Sequence, residues 1–226
     1  EDSFLNVFIY FPHKPILFID FDQTMTNGDD LTKSLLNAIY CIEYERGVDQ
    51  SKVKSIGLQT RKEGKYGIYN FILALCNNKL NDFHIFCQEL FKRIDYSSIR
   101  KDEKLMNIMK EASKKFDLYI LTNNHRTHVD LGLKKLFGVG IDEVDFIRSF
   151  DILETYHDGQ FWPKQTPGAY EMACSRVGAK VSECTLIDDL VNNVKMARSV
   201  GMRTCLVKYE NLFQILTRLI NENKEK

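Results

Sequence analysis

The segment from Pro15 to Gly28, PILFIDFDQTMTNG, constrains this chain more than any other. Ile16, Leu17, Phe18 and Ile19 form a short apolar run ended at once by Asp20. A run of this length, rich in β-branched and aromatic types and closed by polar residues, reads as a buried strand. Asp22 and Thr24 follow, and Asn27-Gly28 is a turn signal. On an extended backbone the i, i+2 spacing turns Asp20 and Asp22 to the same side. Carboxylates at the carboxyl end of a buried strand stand where open α/β sheets place ligands. Two of them repel each other unless a cation or a proton lies between.

The rest of the composition narrows the partners. The chain has 226 residues, enough for one large domain or a core with an insert, and its 31 basic residues balance its 31 acidic ones. That balance argues against a nucleic-acid polymer or an anionic membrane as partner. No apolar run approaches the ~20 residues that span a bilayer, so no transmembrane segment is expected. The N-terminus, EDSFLNVFIYF, opens on acids and is a poor signal peptide. Cys41, Cys76, Cys87, Cys174, Cys184 and Cys205 are scattered without a CxxC pair, which reads as reduced thiols and a cytoplasmic setting. Cys76, Cys87 and Cys205 lie in apolar surroundings and read as small core residues. The oligomeric state is left open.

Periodicity divides the chain. Phe4–Phe11 reads as an added strand or an edge cover. From Leu31 to about Lys104 the strand-like runs vanish. Leu31, Leu35, Ile39 and Ile42 fit one helical face, with Leu36 widening it, and Glu43 and Glu45 are expected to be solvated. Tyr66–Leu75 and Phe83–Ile94 are also helix-like. Strands are then expected at Phe116–Leu121, Phe146–Phe150, Cys184–Ile187 and Arg203–Lys208. Helices are expected at Leu105–Ala112, Val129–Phe137, Ala169–Val177, Val191–Val200 and Glu210–Ile220, before a frayed tail, Asn221–Lys226. Strands alternating with helices imply an α/β fold, a doubly wound and mostly parallel sheet. The predicted division is a core of residues 1–28 and 105–226, with an all-helical insert over 29–104.

Four places carry polar residues that this topology can bring together. They are Asp20/Asp22, Thr122/Asn123, Lys164 in FWPKQTPGAYE and Asp188/Asp189 in LIDDLVNN. Each follows a strand or precedes a helix. Asn192 and Asn193 are candidate supporting residues, although capping of the following helix explains one of them as well. His125 and His128 lack a third metal ligand, and Trp162 beside Lys164 reads as packing or as an aromatic facing a substrate ring.

In these motifs the chain resembles the haloacid dehalogenase superfamily of phosphohydrolases, with DxDxT at Asp20–Thr24 as its first motif. The resemblance implies a Rossmann-like core and a helical cap of the type called C1. It implies that Asp20 is the nucleophile, forming an aspartyl-phosphate, and that Asp22 is the general acid and then base. It implies a Mg²⁺ ion held by Asp20, the backbone carbonyl of Asp22, and Asp188, with Asp189 and Asn193 in support. Thr122 and Asn123 would hold phosphoryl oxygens, and Lys164 would neutralise charge at the nucleophile and phosphate. Asp22 argues against a dehalogenase and against a P-type ATPase. Over Leu118–Val207 the motifs LTNNHRTHV, LIDDLVNNV and GMRTCLV are similar to the pyrimidine 5′-nucleotidase subgroup. Departures are Gln165 after Lys164, with Pro only at 167, and Leu190 after the acidic pair. The expected substrate is a phosphorylated small molecule such as a nucleoside 5′-monophosphate, its base stacked on Tyr66, Tyr69 or Trp162. The alternative is a phosphoprotein, most naturally phosphotyrosine, met by Arg61, Lys62 and Lys65.

Overall fold

The computed structural model describes residues 14–26, 32–65, 67–208 and 210–222. The segment Phe4–Phe11, Leu31, Tyr66 and the tail after Glu222 lie outside the described residues. Seven strands are described: β1 Ile16–Ile19, β2 Asp117–Leu121, β3 Arg148–Phe150, β4 Tyr156–His157, β5 Gln160–Phe161, β6 Cys184–Asp188 and β7 Arg203–Leu206. Between and after them lie α1 Thr32–Glu45, α2 Gln50–Lys62, α3 Ile68–Leu75, α4 Leu80–Lys92, α5 Glu103–Ser113, α6 Arg126–Leu136, α7 Pro167–Arg176, α8 Val191–Ser199 and α9 Leu212–Glu222.

Five strands form one parallel sheet in the order β3-β2-β1-β6-β7. β1 is therefore central, in register with Asp117 on one side and Cys184 on the other at Ile16. Every residue of β1 and β6 is buried, as expected for parallel strands covered on both faces. The alternation sorts their side chains between two cores. Leu17, Ile19 and Ile187 join α1, α4, α5, α6 and α9, whereas Ile16, Phe18 and Leu186 join α7 and α8. This is a Rossmann-like α/β fold, and the carboxyl ends of β1, β2 and β6 open on one edge.

Helices α1–α4 follow β1 before the chain re-enters the sheet. Here the structure differs from the periodicity in several places. α2 was not expected, because it buries only Val53 and Thr60 and so has no apolar stripe to read. Leu36 does not widen the buried face of α1; it is 39% exposed. Glu43, expected to be solvated, is buried, with its carboxylate 3.4 Å from the Arg46 guanidinium. The β4–β5 hairpin was also not anticipated. Asp158 and Gly159 both adopt positive φ, 51° and 77°, the conformation an Asp-Gly hairpin turn requires. Cys76 and Cys87 are buried as expected, but Cys205 is only partly covered.

Two contacts on Phe161 join α3 and α4 to the β4–β5 hairpin. Asn70 of α3 closes a two-way clasp on β5, donating to Phe161 O at 3.0 Å and accepting from Phe161 N at 2.8 Å. Phe83 of α4 packs its ring 4.7 Å from that of Phe161.

Candidate active site

Asp20 is the first residue after β1, and Asp188 is the last of β6. Parallel pairing puts them side by side, with Asp20 N donating to Ile187 O at 2.8 Å. Lys164 arrives from the loop after β5 and threads its ammonium between them. Nζ donates to Asp20 Oδ1 at 2.5 Å and to Asp188 Oδ2 at 2.7 Å. All three side chains are buried. Asp189 completes the acidic group: oxygens of Asp20, Asp188 and Asp189 all lie within 4.8 Å of one another. The Thr24 hydroxyl is 3.4 Å from both Asp20 Oδ2 and Asp189 Oδ1.

Each member is held from behind. Asn193, inside the first turn of α8, donates to both oxygens of Asp188 at 3.0 and 3.1 Å, and Leu190 N donates to Oδ1 at 2.8 Å. The backbone of Lys164 is pinned at both ends, its N–H to Asn123 Oδ1 at 2.8 Å and its carbonyl by the Tyr170 hydroxyl at 2.8 Å. Asn192 is exposed and takes no part. Thr122, buried at the end of β2, accepts from Asn124 N at 3.0 Å.

Asp22 does not join this group through its side chain. The extended backbone ends at Ile19, so the alternation read from the sequence no longer applies. The chain turns instead, with Gln23 in the left-handed region at φ 57°, a conformation a non-glycine residue adopts at a cost. The Asp22 carboxylate meets His128 Nε2 at 2.8 Å and Asn124 Nδ2 at 2.5 Å. His128 Nδ1 lies 2.9 Å from the Tyr96 hydroxyl, and Asn124 Oδ1 accepts from the Tyr69 hydroxyl. Asp22 is thus tied to β2's loop, to α6 and to α3.

The two aspartates titrate in opposite directions. Burial drives the Asp20 carboxyl well above the usual range; Lys164 opposes this, and Asp188 and Asp22 reinforce it. Burial also pushes Asp22 up. There, however, the charge His128 carries when protonated, and hydrogen bonds from His128 and Asn124, outweigh it and hold the carboxyl below its ordinary value. Burial disfavours a charged Lys164, but Asp20 and Asp188 overcome that and raise its pKa. Asp189 is raised by burial and by Asp188. Three carboxylates around one ammonium leave an excess of negative charge. Their hard oxygen donors fit a cation of the Mg²⁺ type.

Residues 15–201 match the profile of the haloacid dehalogenase-like hydrolases. The chain belongs to this family. No curated protein matches the hydrolase significantly. Among solved structures it is similar to CbbY from Rhodobacter sphaeroides in complex with phosphate, at 14% identity, TM-score 0.56 and 84% of each chain covered. It is also similar to the HAD family enzyme bt-2542 from Bacteroides thetaiotaomicron, at 17% identity and TM-score 0.55, covering 91% of this chain and 99% of that one. A third is the HAD-hydrolase YfnB from Bacillus subtilis bound to magnesium, at 16% identity and TM-score 0.51, covering 92% and 99%. At these identities the likeness is one of fold.

Several residues that shape the site of this hydrolase escaped the sequence reading. His128, considered only as a metal ligand, and Asn124 both hold Asp22. The available signal was helical: His128 is buried and stands four residues before Gly132 and eight before Leu136, on the inner face of α6. His125 caps α6 by accepting from Thr127 N at 3.1 Å, which requires a neutral ring, and burial lowers its pKa to about 3. Tyr69, proposed above as a stacking platform, is buried edge-on against Phe83 and offers no free face. Trp162 packs on Gly168 and reaches His157 O through Nε1 at 3.3 Å.

Proposed function

We propose that the protein is a Mg²⁺-dependent phosphomonoester hydrolase that works through an aspartyl-phosphate on Asp20. The observation that carries this reading is the group of buried Asp20 and Asp188 with half-buried Asp189, Lys164 bridging the first two. In the first step an Asp20 oxygen attacks phosphorus, the bond to the leaving oxygen breaks, and that oxygen takes the proton of Asp22. In the second, water attacks the phosphoryl group, gives its proton to Asp22, and returns Asp20 as carboxylate with release of phosphate. An arriving phosphoryl anion raises the Asp22 pKa, opposing the lowering by His128, and so favours the protonated form that the first step needs. Lys164 lowers the charge of Asp20 and the incoming anion together, and Thr122 and Asn123 stand at the edge where phosphoryl oxygens would be held. Asp20, Asp188 and Asp189, with the Asp22 carbonyl, would hold Mg²⁺, which when bound neutralises the acidic group and screens nucleophile from substrate.

Helices α1–α4, over residues 29–104, act as a C1-type cap in this reading. Their contacts with the site, Tyr69 to Asn124 and Asn70 to Phe161, support closure over a small substrate rather than a folded protein. The motifs shared with pyrimidine 5′-nucleotidases make a nucleoside 5′-monophosphate the first choice. The bt-2542 structure with magnesium and inorganic phosphate, similar at TM-score 0.52, is consistent with the ligand pair.

The test is phosphate release from UMP, CMP, AMP, sugar phosphates, phosphotyrosine and a phosphotyrosyl peptide, in Mg²⁺ and in EDTA. Turnover should require Mg²⁺, fall below detection in Asp20→Asn and favour nucleotides over the peptide. Full activity in Asp20→Asn would overturn the mechanism; preference for the peptide would overturn the substrate assignment alone.

A further inference from the structure

A concavity away from the acidic group is walled by α1, α2 and α3. Its volume is about 830 Å³, inside the ~300–1,000 Å³ range of small-molecule pockets. Its walls are of two kinds. Leu36, Tyr40, Leu58, Ile68 and Phe71 present apolar surface, and two of them are large side chains left open, Leu36 at 39% and Leu58 at 61% exposed. Lys54, Arg61 and Lys65 supply cations, and among the described residues no carboxylate lines the space.

The cations are arranged rather than scattered. Lys54, Leu58 and Arg61 are spaced i, i+4, i+7 on α2, so they form one stripe down the helix. Elsewhere on these helices arginines are paired: Arg46 with Glu43 and Glu89, Arg93 with Glu45 and Glu89. Lys65 pairs with Glu63 at 3.2 Å. Among the described residues no acid stands within 4.0 Å of Lys54 or Arg61. Gly57 lies on the floor, where a Cβ would stand in van der Waals contact with the Phe71 ring at 3.4 Å.

We propose that this pocket binds an organic anion with an apolar or aromatic body, its carboxylate, sulfonate or phosphate paired with Lys54 and Arg61 and its body on Leu36, Leu58 and Phe71. An open apolar wall favours the body and an unpaired guanidinium favours a planar oxyanion. The lining comes from α1, α2, α3 and the loop joining α2 to α3, and no residue of the acidic group takes part in it.

The experiment is a fluorescence titration of the full chain with 8-anilinonaphthalene-1-sulfonate, beside N-phenyl-1-naphthylamine, the same body without the charge. One saturable site per chain is expected, with the neutral probe at least tenfold weaker. Lys54→Glu combined with Arg61→Glu should weaken the sulfonate at least tenfold, and Leu58→Asp should do so independently. All three positions are exposed, and matched thermal melts check that the variants fold. Inorganic phosphate with Mg²⁺ should not displace the probe. Binding without saturation, equal affinity for the neutral probe, variants within twofold of the parent, or displacement by phosphate with Mg²⁺ would each overturn the proposal. None of these results would bear on phosphate release through Asp20.

Discussion

Asp22 is the residue whose surroundings differ most from those of its neighbours. Asp20 sits among acids and a lysine, while Asp22 two positions on is held by His128 and Asn124. The proposed roles need the reverse of the directions these surroundings impose, Asp20 ionised and Asp22 protonated, so they rest on a bound cation lowering the first and a phosphoryl anion raising the second. In the proposed mechanism His128 is a positioning residue, reached by no other acid among the described residues and fixed by Tyr96 and by the rings of Phe21 and Phe91. His128→Gln should therefore lower kcat by about 10²-fold, the order a misplaced acid–base group costs, with little change in KM. Combined with Asp22→Asn it should add almost nothing, because residues acting as one unit are not additive. A four-member cycle of kcat values checks this, and independent, additive losses would sink the coupling. Asp20, Lys164 and Asp188 were legible in the sequence because each sits at the end of a recognisable strand or before a recognisable helix. Asn124 and His128 were not, because their partner stands about a hundred residues away in the chain and nothing local marks the pairing.

At the scale of elements, what was legible tracks burial. Strand β1 is an uninterrupted apolar run because both its faces are covered, β2 and β6 carry shorter apolar runs at Leu118–Leu121 and Leu186–Ile187, and the helices that pack on them show their stripes. α2 and the β4–β5 hairpin escaped for different reasons: the helix lacks a buried stripe, and the strands are two residues each. The Asp158-Gly159 turn was nonetheless present to be read. The short 3-10 turn Ile152–Thr155, which leads into that hairpin, offers a test of buried charge. Its cap, Asp151, accepts from Leu153 N at 2.9 Å and is buried, and that burial raises its pKa. A carboxyl whose folded pKa is raised contributes stability below its unfolded value of about 3.9 and loses it as pH rises through the folded value. Asp151→Asn keeps the cap acceptor and removes the titration. The variant should melt above the parent at pH 7 and converge with it below about pH 4. Thermal melts at the two pH values decide it; a variant less stable at pH 7 would show that the ionised form is the favoured one.

For the whole molecule, the acidic group is a cost to the fold until something positive joins it. Mg²⁺ with inorganic phosphate at about 100 times Kd should stabilise by about 2.7 kcal/mol, a rise in Tm of roughly 5–10 °C for a chain of this size. EDTA should remove the gain, and Asp188→Ala should prevent it; a melt indifferent to both ligands would count against a cation site. The sheet order has a further consequence, for synthesis. β1 is made before its partners, yet it lies between β2 and β6. Ile16–Ile19 gains its first neighbour only when Asp117–Leu121 has been translated, and its second only with Cys184–Asp188. Until then the most apolar strand is an uncovered edge on the ribosome, and long-range parallel pairing of this kind is slow and prone to aggregation. Asp20 is set beside Asp188 by the same late step, so a nascent chain long enough to carry Asp20, α1–α7 and Lys164 still lacks the strand that brings Asp188 to them.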